Sequence, residues 1–205
     1  LSAFITLLND RLGETIIFPL LPFLLERFTT SGSTLGLLAG TYAISQFAVA
    51  PLIGALSDRY GRKPIIIGCV AGSVIGLSLF ALTVSIDWTT ILPVWAINIP
   101  LLLLFAARIV DGISGGTAAT ATAVLADIST PENRAKTFGL IGVAFGLGFL
   151  LGPGLGTALA KLTVTLPVWA ACFFAIFNLF LVIWVLPETH PKEARNYLPR
   201  KRELN

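Results

Sequence analysis

Two long apolar runs meet at Gly54-Ala-Leu-Ser-Asp-Arg-Tyr-Gly-Arg-Lys-Pro64, a short charged stretch bounded by glycine. Each flanking run is about 20 residues, the length a helix needs to cross the hydrocarbon of a bilayer. Two membrane helices joined on one side of a bilayer account for the pattern. The join carries Arg59, Arg62 and Lys63, and basic loops stay on the cytoplasmic side. Placing this one turn orients every other segment.

Composition agrees with that reading. Of the 205 residues, 55% are hydrophobic and 12% charged. A soluble domain carries roughly 25% charge, so the chain falls in the membrane class. The net charge of +3 is not a nucleic-acid signal, because the basic residues sit in loops between apolar runs. Cys69 and Cys172 both lie inside apolar runs without CxxC spacing and are expected to be packing residues, neither disulfide nor metal ligands. The first residue is Leu, and no Met and no cleavable signal peptide occur, so the start is expected to be a trimmed or processed terminus.

Six spans are expected, at about 2–25, 34–56, 64–86, 99–126, 137–160 and 166–186. Their leucine-rich runs, with Gly and Pro inside and polar breaks between, fit helices rather than barrel strands. The expected fold is an all-α membrane protein, with a six-helix bundle over 1–187 and a cytoplasmic linker or tail over 188–205. The loops test the orientation. Ten basic residues fall on the cytoplasmic side: Arg59, Arg62, Lys63, Arg134, Lys136, Lys192, Arg195, Arg200, Lys201 and Arg202. Two, Arg27 and Lys161, fall outside, which puts both termini in the cytoplasm. The longer outer stretch carries Trp88 and Trp95, suited to the membrane interface.

The chain also holds a faint internal echo. Pro51-Leu-Ile-Gly54 ends the second run and Pro153-Gly-Leu-Gly156 the fifth, as a 3+3 inverted repeat would require. Glycines four apart at Gly68, Gly72 and Gly76, at Gly112 and Gly116, and at Gly148, Gly152 and Gly156 predict close helix packing.

Charged side chains inside a membrane cost about 2.5–3.5 kcal/mol each on insertion scales, so they are expected to face a protein-lined cavity. The first span holds Asn9, Asp10, Arg11 and Glu14, and the fourth holds Arg108 and Asp111. Asp10 and Glu14 share a helix face, and Arg11 can pair with Glu14, as Arg108 can with Asp111. A buried carboxyl beside an arginine can gain or lose its proton as its surroundings change. Asp10, Glu14 and Asp111 are therefore candidate proton carriers, with structural ion pairing as the plain alternative. Arg108 could neutralise the acidic site or bind an anion. Tyr42, Gln46 and Asn178 are candidates for a substrate path, or simply hydrogen-bonded to neighbouring backbone. The only histidine, His190, lies past the last span, and neither a metal cluster nor a nucleotide-binding glycine loop is present. No enzyme chemistry, metal or cofactor is expected.

The Gly54–Pro64 string resembles the signature between the second and third helices of the major facilitator superfamily, with Gly54, Asp58, Arg59, Gly61, Arg62 and Lys63 in the matching places. Arg108-Ile-Val-Asp-Gly112 resembles the fourth-helix motif, and Gly148-Phe-Leu-Leu-Gly152-Pro153-Gly-Leu-Gly156 the fifth-helix motif of antiporters. Asp10 followed by Pro19-Leu-Leu-Pro22 is similar to the first helix of proton-coupled drug exporters. Thr41 to Pro51, Ala126 to Ala135 and Leu186 to His190 look most like segments of the tetracycline/proton antiporter group. Two positions depart from the motifs: Asp111 adds a competing carboxylate, and Thr157 stands for a glycine.

The resemblance implies the amino-terminal half of a proton-coupled antiporter that exports amphipathic organic compounds. It implies a cytoplasmic latch of Asp58, Arg59 and Arg62, with Asp127 as partner to one of the arginines. Helix sliding would occur at Gly148, Gly152, Pro153 and Gly156. Expected partners are lipid, protons, a small organic substrate and a second six-helix half, in a bacterial-type inner membrane. The rival reading is a non-transporting scaffold or assembly subunit of a larger membrane complex.

Overall fold

The computed structural model describes residues 2–88 and 98–190. Among them the regular structure is helical throughout, with no strand. Trp95 and the basic cluster from Lys192 to Arg202 lie outside the described residues.

The first apolar run is helical in three pieces: α1 (Ser2–Ile17), a 3-10 turn (Phe18–Leu20) and α2 (Leu21–Leu25). Pro19 and Pro22 open the second and third pieces. A proline has no N–H to give to the preceding turn but fits the first turn of a new helix, so the run bends without unfolding. The rest of the bundle is α3 (Gly32–Tyr60), α4 (Arg62–Ser85), α5 (Asn98–Ser114), α6 (Thr117–Asp127), α7 (Arg134–Ala160) and α8 (Leu166–Trp184). Among the described residues five runs are each long and apolar enough to cross a membrane: α3, α4, Ile99–Asp127, α7 and α8. The run Ser2–Leu25 is broken at Pro19 and carries Asp10, Arg11 and Glu14.

The charged stretch is more helical than its sequence suggests. The second span does not stop near 56, because α3 continues through Asp58 and Arg59 to Tyr60. The turn is a single residue, Gly61, with φ of 105°. An L side chain rarely adopts that angle, so glycine lets the chain reverse within one residue. Pro64 falls in the first turn of α4, where its missing N–H has no helical role.

Packing centres on α1 and α4. Helix α1 lies against α7 and α8, and α4 against α5 and α8, while α3 rests on α5. The main core gathers Leu24, Leu77, Phe80, Leu104, Val168 and Ala171. The α1–α7 contact is set by glycine: a Cβ on Gly148 would stand 2.7 Å from Arg11 Cβ, and one on Gly152 2.8 Å from Thr15 Cβ. Gly112 lies equally close to α3, where a Cβ would come within 2.6 Å of the Tyr42 carbonyl. Of the three glycines in α4, Gly72 and Gly76 meet α5, whereas Gly68 faces open space. Phe47 on α3, Leu150 on α7 and Trp184 on α8 remain exposed, as side chains meeting lipid or another protein surface would.

Candidate functional site

Two charged constellations stand out, one inside the bundle and one at the α3–α4 turn. The inner one is built on the middle of α1. Arg11 is buried, and its Nη2 donates to Asp10 Oδ2 at 2.7 Å while its Nη1 pairs with Glu14. One guanidinium thus serves two carboxylates. It also lies over the Phe145 ring of α7, with Cζ 5.1 Å from the ring centre. Across the bundle, Arg108 of α5 is buried too, and its Nη1 lies 3.7 Å from Asp111 Oδ2, a single long contact rather than a bidentate pair. Its guanidinium sits 4.7 Å from the Phe80 ring and 6.0 Å from the Tyr42 ring. Stacking of this kind holds a planar cation that ion pairing leaves incompletely satisfied. The Nε atoms of Arg11 and Arg108 are buried without a hydrogen-bond partner among the described residues.

These groups converge. A cavity of about 30 Å³ is lined by the charged and polar side chains of Asp10, Arg11, Glu14, Tyr42, Asp111 and Asn178 together with apolar ones such as Val70 and Leu77, room for roughly two water molecules. A neighbouring cavity of about 170 Å³ is lined by Glu14, Phe18, Leu21, Tyr42, Gln46 and Arg108. The fold therefore brings together all three acidic candidates, Arg108 and the three uncharged polar candidates. Tyr42 and Gln46 lie on α3, where Gln46 Nε2 donates to Tyr42 Oη at 3.2 Å and to the Gly115 carbonyl at 3.0 Å. Asn178 is held more firmly: its side chain is buried and donates to the Thr6 carbonyl at 3.2 Å, joining α8 to α1. Among the described residues no three His, Cys, Asp or Glu side chains gather as metal ligands would.

The second constellation is organised by Arg62, the first residue of α4. Its Nε donates to Asp127 Oδ2 at 3.0 Å, and its Nη1 reaches both Ser57 Oγ and Asp58 Oδ1 at 2.6 Å. Arg62 is buried while Arg59 is exposed and stacks on Tyr60, with Cζ 5.4 Å from the ring. Of the two arginines that could take Asp127, the fold selects Arg62. Gly54 contributes its carbonyl, which accepts from Ser57 Oγ at 2.8 Å. Lys63 takes part through its backbone, whose N–H donates to Glu188.

Ser57 and Glu188 are the residues that sequence reasoning missed. Ser57 sits between Gly54 and Asp58 inside the charged string. Glu188, two residues past a buried Leu186, has both carboxylate oxygens on the start of α4. The Pro-Glu-Thr string after an apolar run is a visible signal that the helix has ended, but nothing local says which helix receives the carboxylate.

The profile of the Major Facilitator Superfamily matches residues 3–203. The chain is 37% identical over 193 residues to the class C tetracycline resistance protein of Escherichia coli, covering 93% of this chain and 45% of that protein. It is 34% identical over 221 residues to major facilitator superfamily domain-containing protein 10 of Homo sapiens, covering 94% of this chain and 45% of that one. The chain spans about half the length of the curated relatives it matches. The crystal structure of the human organic anion transporter MFSD10 superposes with a TM-score of 0.79 at 31% identity, over 96% of this chain and 49% of that one.

Proposed function

The chain belongs to the major facilitator superfamily, and on that premise we propose that it is the amino-terminal half of a proton-coupled antiporter. It exports amphipathic organic compounds of the tetracycline-like kind by alternating access. The observation that carries this reading is the charge balance of the inner cluster. Asp10, Glu14 and Asp111 face Arg11 and Arg108 around two neighbouring cavities that share Glu14 and Tyr42. Three carboxylates against two guanidiniums leave one negative charge when all are ionised. One proton, or one cation, restores neutrality, and competition between the two is what an antiporter needs. In this reading Asp10, Glu14 and Asp111 share the proton. Tyr42, Gln46, Arg108 and Asn178 lie along the substrate path.

Packing supports the repeat and the need for a second wall. Writing the six spans in order, the strong contacts are first with fifth, fourth with second, third with fourth, sixth with first, and third with sixth. Exchanging the first three spans for the last three maps this set onto itself. Three spans per unit is an odd number, so the two units would run in opposite senses across the membrane. We place both termini in the cytoplasm on the distribution of basic residues. The 1–187 segment would form the bundle, and 188–205 would lead away from it.

Helices α3 and α7 support a second bundle as partner. A Cβ placed on Gly36 or Gly40 of α3, or on Gly142 or Gly146 of α7, would meet no atom of another element within 4 Å. Small residues four apart on an open face suit close approach by another helix. The Arg62 network would then be a latch closing the cytoplasmic side, and Gly148, Gly152, Pro153 and Gly156 the surface on which α7 slides along α1. The likeness to the class C tetracycline resistance protein of Escherichia coli supports a bacterial-type inner membrane as its location.

The test is substrate-driven proton movement in liposomes holding the complete polypeptide. Tetracycline added to one side should collapse an imposed pH gradient. A gradient untouched by tetracycline and by other amphipathic compounds, with the chain isolated as a stoichiometric subunit of a larger complex, would replace transport by the scaffold role.

A further inference from the structure

Leu186 is buried in the cluster that holds Ile66 and Val70 of α4, so the chain leaving α8 is fixed against α4 before it departs. Two residues on, Glu188 Oε1 accepts the N–H of Arg62 at 2.9 Å and Oε2 the N–H of Lys63 at 3.3 Å. The Oε1 atom also accepts the N–H of His190 at 3.0 Å, which curls the segment over the helix end. The first N–H groups of a helix have no partner within it, and the positive end of the helix dipole favours an anion. Local sequence does not meet this need, because the residue before α4 is Gly61, which has no side chain to cap it. The cap arrives from 126 positions away. Next to it, Thr189 Oγ1 donates to Asp127 Oδ2 at 3.5 Å, the same oxygen that receives Arg62 Nε.

We propose that Glu188 is a positioning residue of the Arg62 network, tying the segment that leaves α8 to the start of α4, so that opening the network also frees that segment. The inference rests on the latch reading of Arg62. Its physical content is that one arginine is held from three sides, its guanidinium by two and its backbone by the third. Asp58 and Ser57 approach from α3, Asp127 from α6, and Glu188 sets the backbone from which Arg62 projects. If Glu188 lets go, Arg62 keeps its charge but loses the fixed origin that brings Nε within bonding distance of Asp127.

The experiment uses the complete transporter, with spin labels at the cytoplasmic ends of its two halves and with transport kinetics. Glu188→Gln keeps the shape while removing the charge and one of the two acceptors. It is expected to raise the cytoplasm-open population about fivefold, the effect of losing a helix cap, and to change turnover with substrate KM held within about twofold of the parent protein. Glu188→Asp should return most of the closed population. Arg62→Ala is the reference for the latch. A Glu188→Gln protein with the parent's populations and turnover, while Arg62→Ala shifts both, overturns the role of Glu188 and leaves the latch standing. If Arg62→Ala shifts nothing either, the latch reading itself fails.

Discussion

Arg62 Nε and Asp127 Oδ2 lie 3.0 Å apart and join residues 65 positions apart in sequence. The bond ties the start of α4 to the end of α6, and Asp58, in the last turn of α3, adds a second carboxylate. Charge-assisted hydrogen bonds of this kind contribute about 1.5–3 kcal/mol when partly buried. Arg62→Ala and Asp127→Asn should each release about that much from the closed cytoplasmic state, and the double variant should lose less than the sum. A thermodynamic cycle on the conformational equilibrium checks this. Additive effects would mean that the two residues act independently.

Asp10→Asn removes one of the two carboxylates on Arg11 and leaves the guanidinium with Glu14. The charge balance of the cluster then reaches zero without a proton. Substrate-driven proton flux should fall at least tenfold, with membrane insertion and yield unchanged. Parent-level flux from this variant would move proton carriage to Glu14 or Asp111.

Arg108→Lys keeps the charge but loses the planar face that sits 4.7 Å from the Phe80 ring. An ammonium cannot stack in that way, and the lost contact is worth about 0.5–2 kcal/mol. Transport turnover should drop about tenfold, while Arg108→Ala should cost more because Asp111 is then left buried without a cation. Measuring turnover and thermal stability of the two variants side by side separates charge from stacking.

Gly112→Val should separate α5 from α3, since a side chain there meets the Tyr42 backbone within 2.6 Å. Forced overpacking costs typically about 1–3 kcal/mol. Gly152→Val is expected to do the same between α7 and α1. Gly68→Ala, at a position with open space around it, should leave thermal unfolding in detergent unchanged. Equal destabilisation at Gly68 and Gly112 would contradict the packing described.

Membrane class, the helical spans and the special status of the Gly54–Pro64 string were legible in the sequence because each depends on residues adjacent in the chain. Hydrocarbon thickness sets the length of an apolar run wherever it occurs. A charge within such a run is conspicuous whatever lies opposite it, which is why Asp10, Glu14, Arg108 and Asp111 could be picked out one at a time. A glycine after a helix allows a reversal by its own backbone freedom, as Gly61 does.

Tertiary structure decided the pairings. The sequence offers Arg59 and Arg62 equally to Asp127, and only the direction of α3 and α4 leaves Arg59 exposed and Arg62 buried against α6. Glycines four apart look alike in α3, α4 and α7, yet Gly148 and Gly152 are filled by α1 while Gly36 and Gly40 face open space. Glu188 gives no local hint that it caps α4. The physical reason is common to all three. Transfer into lipid depends on the local composition of a segment, whereas an ion pair, a helix cap or a close backbone approach depends on a second element whose position the neighbouring residues do not encode.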